Sequence, residues 1–333
     1  MQLLSEVMED VRSGRRPPWP CHPDPRKFRP SEPPARLSPV ADFGSNPGNL
    51  RMLTYSPRTL RRKPPLVAVL HCCGQSASDI ACRAGWIKLA RDFGFALLAP
   101  EQSRANNPQR GFNWFLPADA TRDLGECLSI RQMIDWMIEE QGVDRRRIYI
   151  AGLSAGAAMS QVMLATYPEV FAGGAIIAGL PYGVATNVVD AIGLMKGNVH
   201  RSPRQLGDLV RAASPHWGAR PKVSIWQGDA DRVVAATNAD AIARQWLDVL
   251  DLPEEAAKET LVCGHTRRFW RDASGRTVLE SFVIPKLGHA VPLDAFGRNG
   301  PVYGARAPFF KDAGISSTFQ IARFWGLSSP HAF

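Results

Sequence analysis

No stretch of this 333-residue chain approaches the ~18 consecutive apolar residues that suggest a membrane span. The N-terminus reads Met1-Gln2-Leu3-Leu4-Ser5-Glu6, with further acids at Glu9 and Asp10. It has neither a basic leader region nor a long apolar one, so no secretory signal is expected and a cytoplasmic location is favoured. The six cysteines, Cys21, Cys72, Cys73, Cys82, Cys127 and Cys263, show no C-x-x-C pairing. That leaves a zinc site unsupported and predicts reduced thiols. No internal repeat is evident. A module of interleaved aromatic and basic residues suited to reading bases is also missing, so nucleic acid is not an expected partner.

What is present begins with an uneven charge. The formal net charge is +9, and Arg12, Arg15, Arg16, Arg26, Lys27, Arg29 and Arg36 fall among closely spaced prolines. Pro17 through Pro39 exclude regular structure through about residue 40. Residues 1–42 are therefore expected to be a basic, solvated arm, preceded by a short helical stripe at Leu3, Leu4, Val7, Met8 and Val11. The catalytic-sized domain is expected over residues 43–327, and residues 328–333 are a short tail.

Within 43–327 apolar strands and helices alternate. Leu66-Val67-Ala68-Val69-Leu70 is a continuous apolar run, the pattern of a strand buried on both faces. Further strands are expected at Phe95–Ala99, Arg147–Ile150, Ala172–Ala178, Val223–Trp226 and 277–284. Helices are expected at 79–92, 125–141, the segment before Pro168, 238–250 and 315–325. Repeated strand-then-helix order implies an α/β fold with a mostly parallel central sheet and helices on both faces. Residues 181–218 interrupt the alternation and are expected to be a small helical insertion.

The strongest chemical signal is Gly152-Leu153-Ser154-Ala155-Gly156. A bare G-x-S-x-G arises by chance in roughly one chain in ten of this length. Here it follows a strand and opens a helix of small residues, Ala155, Gly156, Ala157 and Ala158, the setting of a nucleophile elbow. The turn lifts the serine oxygen above the sheet, and glycines allow strand and helix to approach closely. A serine nucleophile needs a base. Of the seven histidines, His289 lies just past the strand at 277–284, in the chain order Ser, Asp, His that this fold uses. His265 is the rival, although Cys263-Gly264-His265 reads as a turn between short antiparallel strands. The acid belongs on the loop after Val223–Gln227, where Asp229 and Asp231 compete. Asp231 is placed to turn back toward the histidine and Asp229 to brace the loop. The amide of Ala155 should supply one oxyanion donor and the loop His71-Cys72-Cys73-Gly74-Gln75 the other. His71 reads as a support for that loop rather than a second base.

The chain resembles the polyhydroxybutyrate-depolymerase-type esterases, α/β-hydrolases that include feruloyl and acetylxylan esterases. The resemblance is carried by Pro47-Gly48-Asn49-Leu50-Arg51-Met52, Leu70 to Gln75, Phe112-Asn113-Trp114-Phe115 and Ser129-Ile130-Arg131-Gln132-Met133. It continues through Gly152 to Gly156, Gly228-Asp229-Ala230-Asp231 and Gly288-His289, and spans residues 43–326. It implies the triad Ser154, Asp231 and His289, with the Cys73 and Ala155 amides as the oxyanion hole. Cys72 stands where the family usually has glycine, and Ala157 where glycine is commoner. A position that needs φ > 0 would be strained by Cys72. The expected reaction is ester hydrolysis through an acyl-enzyme, without metal or organic cofactor. Short polyester or hydroxyalkanoate esters are the expected substrates, with feruloyl or acetyl esters of plant polysaccharide as the alternative. Trp114 and Trp226 are candidates to line the acyl pocket, as are Trp86, Phe112 and Tyr182. A reading of another class is a non-hydrolytic, polymer- or granule-binding protein whose basic arm does the work.

Overall fold

The structure is a computed structural model and describes residues 36–58, 60 and 62–328. The helical stripe at Leu3–Val11, nearly all of the expected arm and all but Ser328 of the tail lie outside these residues. Ten strands form one sheet in the order β1-β2-β4-β3-β5-β6-β7-β10-β9-β8. They are β1 (Ser38–Val40), β2 (Arg51–Tyr55), β3 (Leu66–Leu70), β4 (Ala96–Glu101), β5 (Ile148–Leu153), β6 (Gly173–Ile177), β7 (Lys222–Gly228), β8 (Lys258–Val262), β9 (His265–Arg271) and β10 (Thr277–Ile284). From β4 to β10 the pairing is parallel, and antiparallel strands finish both ends. The expected turn at Cys263-Gly264 joins β8 and β9 as an antiparallel hairpin.

The side-chain period of two assigns each strand to two cores. Ile148 and Ile150 join Leu66, Ala68 and Leu70 in the larger apolar cluster. Tyr149, pointing the other way, stacks on Trp325 at 4.8 Å, and Trp325 stacks on Trp86 at 5.9 Å. The helices follow the same logic. Helices α1 (Ala77–Arg83) and α2 (Trp86–Phe93) precede β4, and α3 (Pro117–Ala120) and α4 (Gly125–Glu140) precede β5. Helix α5 (Ala155–Thr166) follows β5 and is buried along its whole length, which its small residues permit. Helices α6 (Val188–Met195) and α7 (Pro203–Ala212) fill the expected insertion. Helix α8 (Thr237–Val249) buries Ala239, Ile242, Ala243, Trp246 and Leu247, an i, i+3, i+4, i+7, i+8 stripe, in the larger cluster. Helix α9 (Ser317–Trp325) carries Trp325 to the opposite face.

Two expectations need correction, and one strand pair was not expected. Strand β1 lies inside the proline-rich stretch that was expected to lack regular structure. Pro39 sits in it because β1 is the edge strand, where a missing donor costs no ladder bond. The single helix at 79–92 is two helices, broken by Gly85 at φ +90. Strands β11 (Val291–Leu293) and β12 (Phe310–Asp312) form a separate parallel pair that three-residue lengths hide from periodicity.

Gly85 also approaches a neighbour too closely for any side chain. A β-carbon there would lie 1.7 Å from the Tyr303 carbonyl oxygen. Gly85→Ala is therefore expected to destabilise the fold by about 2 kcal/mol or more through overpacking and the left-handed backbone. Thermal unfolding followed by circular dichroism should show a lower melting temperature. An unchanged midpoint would mean that the Tyr303 segment yields without cost.

Candidate active site

Strand β5 ends in a turn that only particular residues tolerate. Ser154 has φ +55 and ψ −118, outside the regions that L-residues favour. Its N–H donates to Ile177 O at 2.9 Å, and its carbonyl accepts from Ala158 N at 2.9 Å, which starts α5. A β-carbon at Gly152 would lie 2.2 Å from Gly156 O, and one at Gly156 would lie 2.3 Å from Leu70 O. The two motif glycines are thus required by close approach of strand, helix and β3, and the small residues of α5 follow from the same crowding.

The loops after β7 and β10 meet at the same end of the sheet. His289 Nδ1 donates to Asp231 Oδ2 at 2.7 Å, and both side chains are buried. Asp231 Oδ1 accepts the amides of Val233 at 2.8 Å and Val234 at 2.9 Å, and Oδ2 also accepts Gln227 Nε2 at 3.1 Å. Burial alone would raise the Asp231 carboxyl. The hydrogen bond and charge of His289, with the Val234 and Val233 amides, outweigh it and hold the group below the ordinary carboxylate range. Asp229 has the other job: its Oδ1 accepts the Lys286 amide at 2.6 Å, bracing one loop on the other. Phe309 meets the His289 ring edge-on at 6.1 Å. His265, the rival base, instead bonds Ala313 O through Nε2 at 2.9 Å, on the β8–β9 hairpin.

The loop after β3 carries the other half. His71 is fully buried between two backbone groups. Its Nε2 accepts the Gln102 amide at 3.1 Å, which leaves the proton on Nδ1 to bond Cys72 O at 2.9 Å. Burial lowers its pKa to about 4, so it stays neutral and acts as a brace rather than a base. Cys72 is not among the residues with positive φ, and the left-handed position in this loop is Gly74 at φ +75. The strain expected from a side chain at Cys72 is therefore absent: its thiol packs inward, 2% exposed. Among the described residues, no protein acceptor takes the amide of Cys73 or that of Ala155. Gly111 borders both residues, since a β-carbon there would lie 2.5 Å from Cys73 Sγ and 3.6 Å from the Ala155 β-carbon.

The aromatic candidates divide. Trp226 is 1% exposed, stacked on Phe282 at 3.9 Å with Nε1 donating to Ser224 Oγ. It is core and has no free face for an acyl chain, which corrects the expectation. Trp86 and Phe112 are likewise buried. Trp114 and Tyr182 are half-buried, and Trp114 meets Phe115 edge-on at 5.3 Å. Trp114, Phe115, Val184, Met195 and Val233 pack with Ala158, Leu180, Leu194 and Val234 into a small apolar cluster. That cluster joins the nucleophile helix, the acid loop and the insertion. Sequence reading missed Gly111, whose neighbours Cys73 and Ala155 are distant in the chain, and Gln227, which reads as an ordinary position at the end of β7 although its side chain bonds Asp231 four residues on. Among the described residues, no group of three or more His, Cys, Asp or Glu side chains is arranged to hold a metal ion. Nor is any helix of theirs long and apolar enough to cross a membrane.

Comparison with known proteins gives the family. Poly(3-hydroxyalkanoate) depolymerase C of Paucimonas lemoignei is 38% identical over 292 residues, covering 87% of this chain and 70% of its own. Feruloyl esterase B of Talaromyces stipitatus is 31% identical over 269 residues, covering 78% and 74%. The solved acetyl xylan esterase from Aspergillus awamori superposes with a TM-score of 0.73 at 23% identity, covering 88% of this chain and 99% of that one, and bears on the fold alone. The family described as Esterase PHB depolymerase matches residues 51–268. The chain belongs to that family: it is an α/β-hydrolase and a serine hydrolase of carboxylic esters.

Proposed function

We propose that Ser154, His289 and Asp231 are the catalytic triad, that the Cys73 and Ala155 amides form the oxyanion hole, and that the substrate is a short polyester or hydroxyalkanoate-type ester. The observation that carries the triad is the 2.7 Å bond from His289 to a buried Asp231 at the sheet end where Ser154 stands on its strained turn. Ser154 Oγ attacks the ester carbonyl while His289 Nε2 takes its proton. The carbonyl oxygen becomes the oxyanion, received by the two amides. The proton passes to the leaving alcohol, and water activated by the same imidazole then frees the acid. Asp231 fixes the imidazole tautomer and stabilises its cation without taking the proton.

The substrate assignment rests on the apolar cluster beside the nucleophile. Trp114, Phe115, Val184 and Met195 at its edge are only half-buried, and apolar side chains there suit an aliphatic hydroxyacyl chain better than a sugar. The high similarity to a poly(3-hydroxyalkanoate) depolymerase supports the same reading. A second reading, an aromatic acyl ester, has the half-buried Trp114–Phe115 pair in its favour.

Ser154→Ala is expected to cost on the order of 10⁶ in kcat on p-nitrophenyl butyrate with the fold intact. A tenth of wild-type activity surviving in a clean preparation would sink the assignment. Asp231→Asn should lower kcat by around 10⁴ through the wrong tautomer, and Asp229→Asn by far less. The reverse ranking would exchange the two aspartates. Cys72→Gly should change kcat less than about threefold and mildly lower stability through added chain entropy. A large rise in kcat would show instead that the native loop is compromised. For the substrate, hydroxybutyrate oligomers should outrun feruloyl and acetyl sugar esters in kcat/KM. Preference for the feruloyl ester would select the second reading.

A further inference from the structure

Helix α4 holds a carboxyl group that the hydrolytic steps do not use. Glu126 is completely buried, and both of its oxygens are occupied. Oε2 accepts the Asn113 amide at 2.9 Å, and Oε1 accepts Gln102 Nε2. The first bond anchors the segment that carries Gly111, which also docks on the oxyanion loop through Gly74 N to Gln109 O at 2.7 Å. The second anchors Gln102, whose own amide bonds His71 Nε2, and His71 Nδ1 in turn bonds Cys72 O. Cys72 O and Cys73 N–H belong to one planar peptide group. Holding the carbonyl therefore aims the amide, and donation to the carbonyl polarises the N–H in the same direction.

We infer that Glu126 is the positioning residue of the oxyanion hole, tying from within the core the two segments that set the direction of the Cys73 amide. The inference rests on the assignment of Cys73 as an oxyanion donor. Burying a carboxyl is costly: burial raises this one, and the bonds from the Asn113 amide and Gln102, which favour the ionised acceptor form, oppose the rise. An apolar side chain would fill the space without that cost, but it would leave the Asn113 amide and the Gln102 side chain without an acceptor. The donor and acceptor ends of Gln102 are not interchangeable. Its Oε1 already accepts Ser103 N at 2.9 Å and Asn106 Nδ2 at 2.8 Å, so its Nε2 must face Glu126.

The test exploits that fixed orientation. Glu126→Gln keeps the size but turns one acceptor into a donor facing a donor. It should lower kcat roughly tenfold to hundredfold, less than the roughly 10²–10³ for outright loss of an oxyanion donor because the amide is misaimed rather than removed, with KM nearly unchanged. It should also weaken an alkyl boronic acid, which forms a tetrahedral adduct, in the same proportion. Exchanging the pair, Glu126→Gln with Gln102→Glu, restores every donor to an acceptor and should return kcat to near wild type. Ser129→Ala, on the same helix, removes the buried acceptor of the Gly48 amide. It supplies a control that loses stability without losing kcat. A folded Glu126→Gln with wild-type kcat would overturn the inference, as would an exchanged pair still down tenfold or a Ser129→Ala equally impaired. Should the single variant not fold, the exchanged pair decides alone. An active Ser154→Ala would instead remove the triad reading, so the two failures are told apart.

Discussion

The backbone of Ser154 is the constraint from which most of this architecture follows. A non-glycine residue at φ +55 and ψ −118 stores roughly 1–3 kcal/mol of strain and persists only where its surroundings over-determine it. The surroundings do so on three sides. The amide is tied to β6 through Ile177, the carbonyl starts α5, and Gly156 is pressed against the Leu70 and His71 carbonyls at the end of β3. The same pressure that excludes side chains from Gly152 and Gly156 brings the β3 loop alongside the first amide of α5. The strain at Ser154 and the position of the Cys73 and Ala155 amides beside Gly111 are consequences of one packing arrangement.

Asp231 and His289 are brought together by a second, separate device. Gly228 lies so close to the following loop that a β-carbon would be 2.1 Å from Leu287 O. Asp229 N bonds Ile284 O at 3.2 Å, Ala230 N bonds Leu287 O at 3.1 Å, and Asp229 Oδ1 takes the Lys286 amide. The loops after β7 and β10 are thus bonded into one piece, and the Asp231–His289 bond is made inside it. Asp229 braces the two loops between which the Asp231–His289 bond is made.

Much of this was legible in the sequence because it is local. Runs such as Leu66–Leu70 announce strands buried on both faces, and Gly152 to Gly156 carries its own steric reason. The order of Ser154, Asp231 and His289 follows from parallel strands delivering their loops to one end. What escaped depends on partners remote in the chain. Trp226 looks like a pocket aromatic until Phe282 is seen stacked on it. Gly85 reads as a tolerable helix residue until Tyr303 O is found beside it. Pro39 argues against a strand unless that strand is the edge. Glu126 is an ordinary polar position on α4 as far as periodicity goes, and acquires meaning only when Gln102 and Asn113 converge on it.

The division between chemistry and recognition is equally physical. Ser154, Asp231 and His289 sit on turns welded to strand ends, where a shift of one residue would reverse the side-chain faces of the sheet. The apolar cluster beside them adds residues from other segments: Trp114 and Phe115 from a connection, Val184, Leu194 and Met195 from the insertion. These segments pair with no strand, so their side chains can change shape and polarity without disturbing the register that holds the triad. The relatives similar to this chain are a polyhydroxyalkanoate depolymerase, feruloyl esterases and acetylxylan esterases. One hydrolytic frame serving three kinds of ester is what such a separation allows. The 107–115 segment belongs to both parts, since it carries Trp114 in the apolar cluster and Gly111 against Cys73. A change in that segment is therefore expected to alter rate and substrate preference together, whereas a change in the insertion alters preference alone.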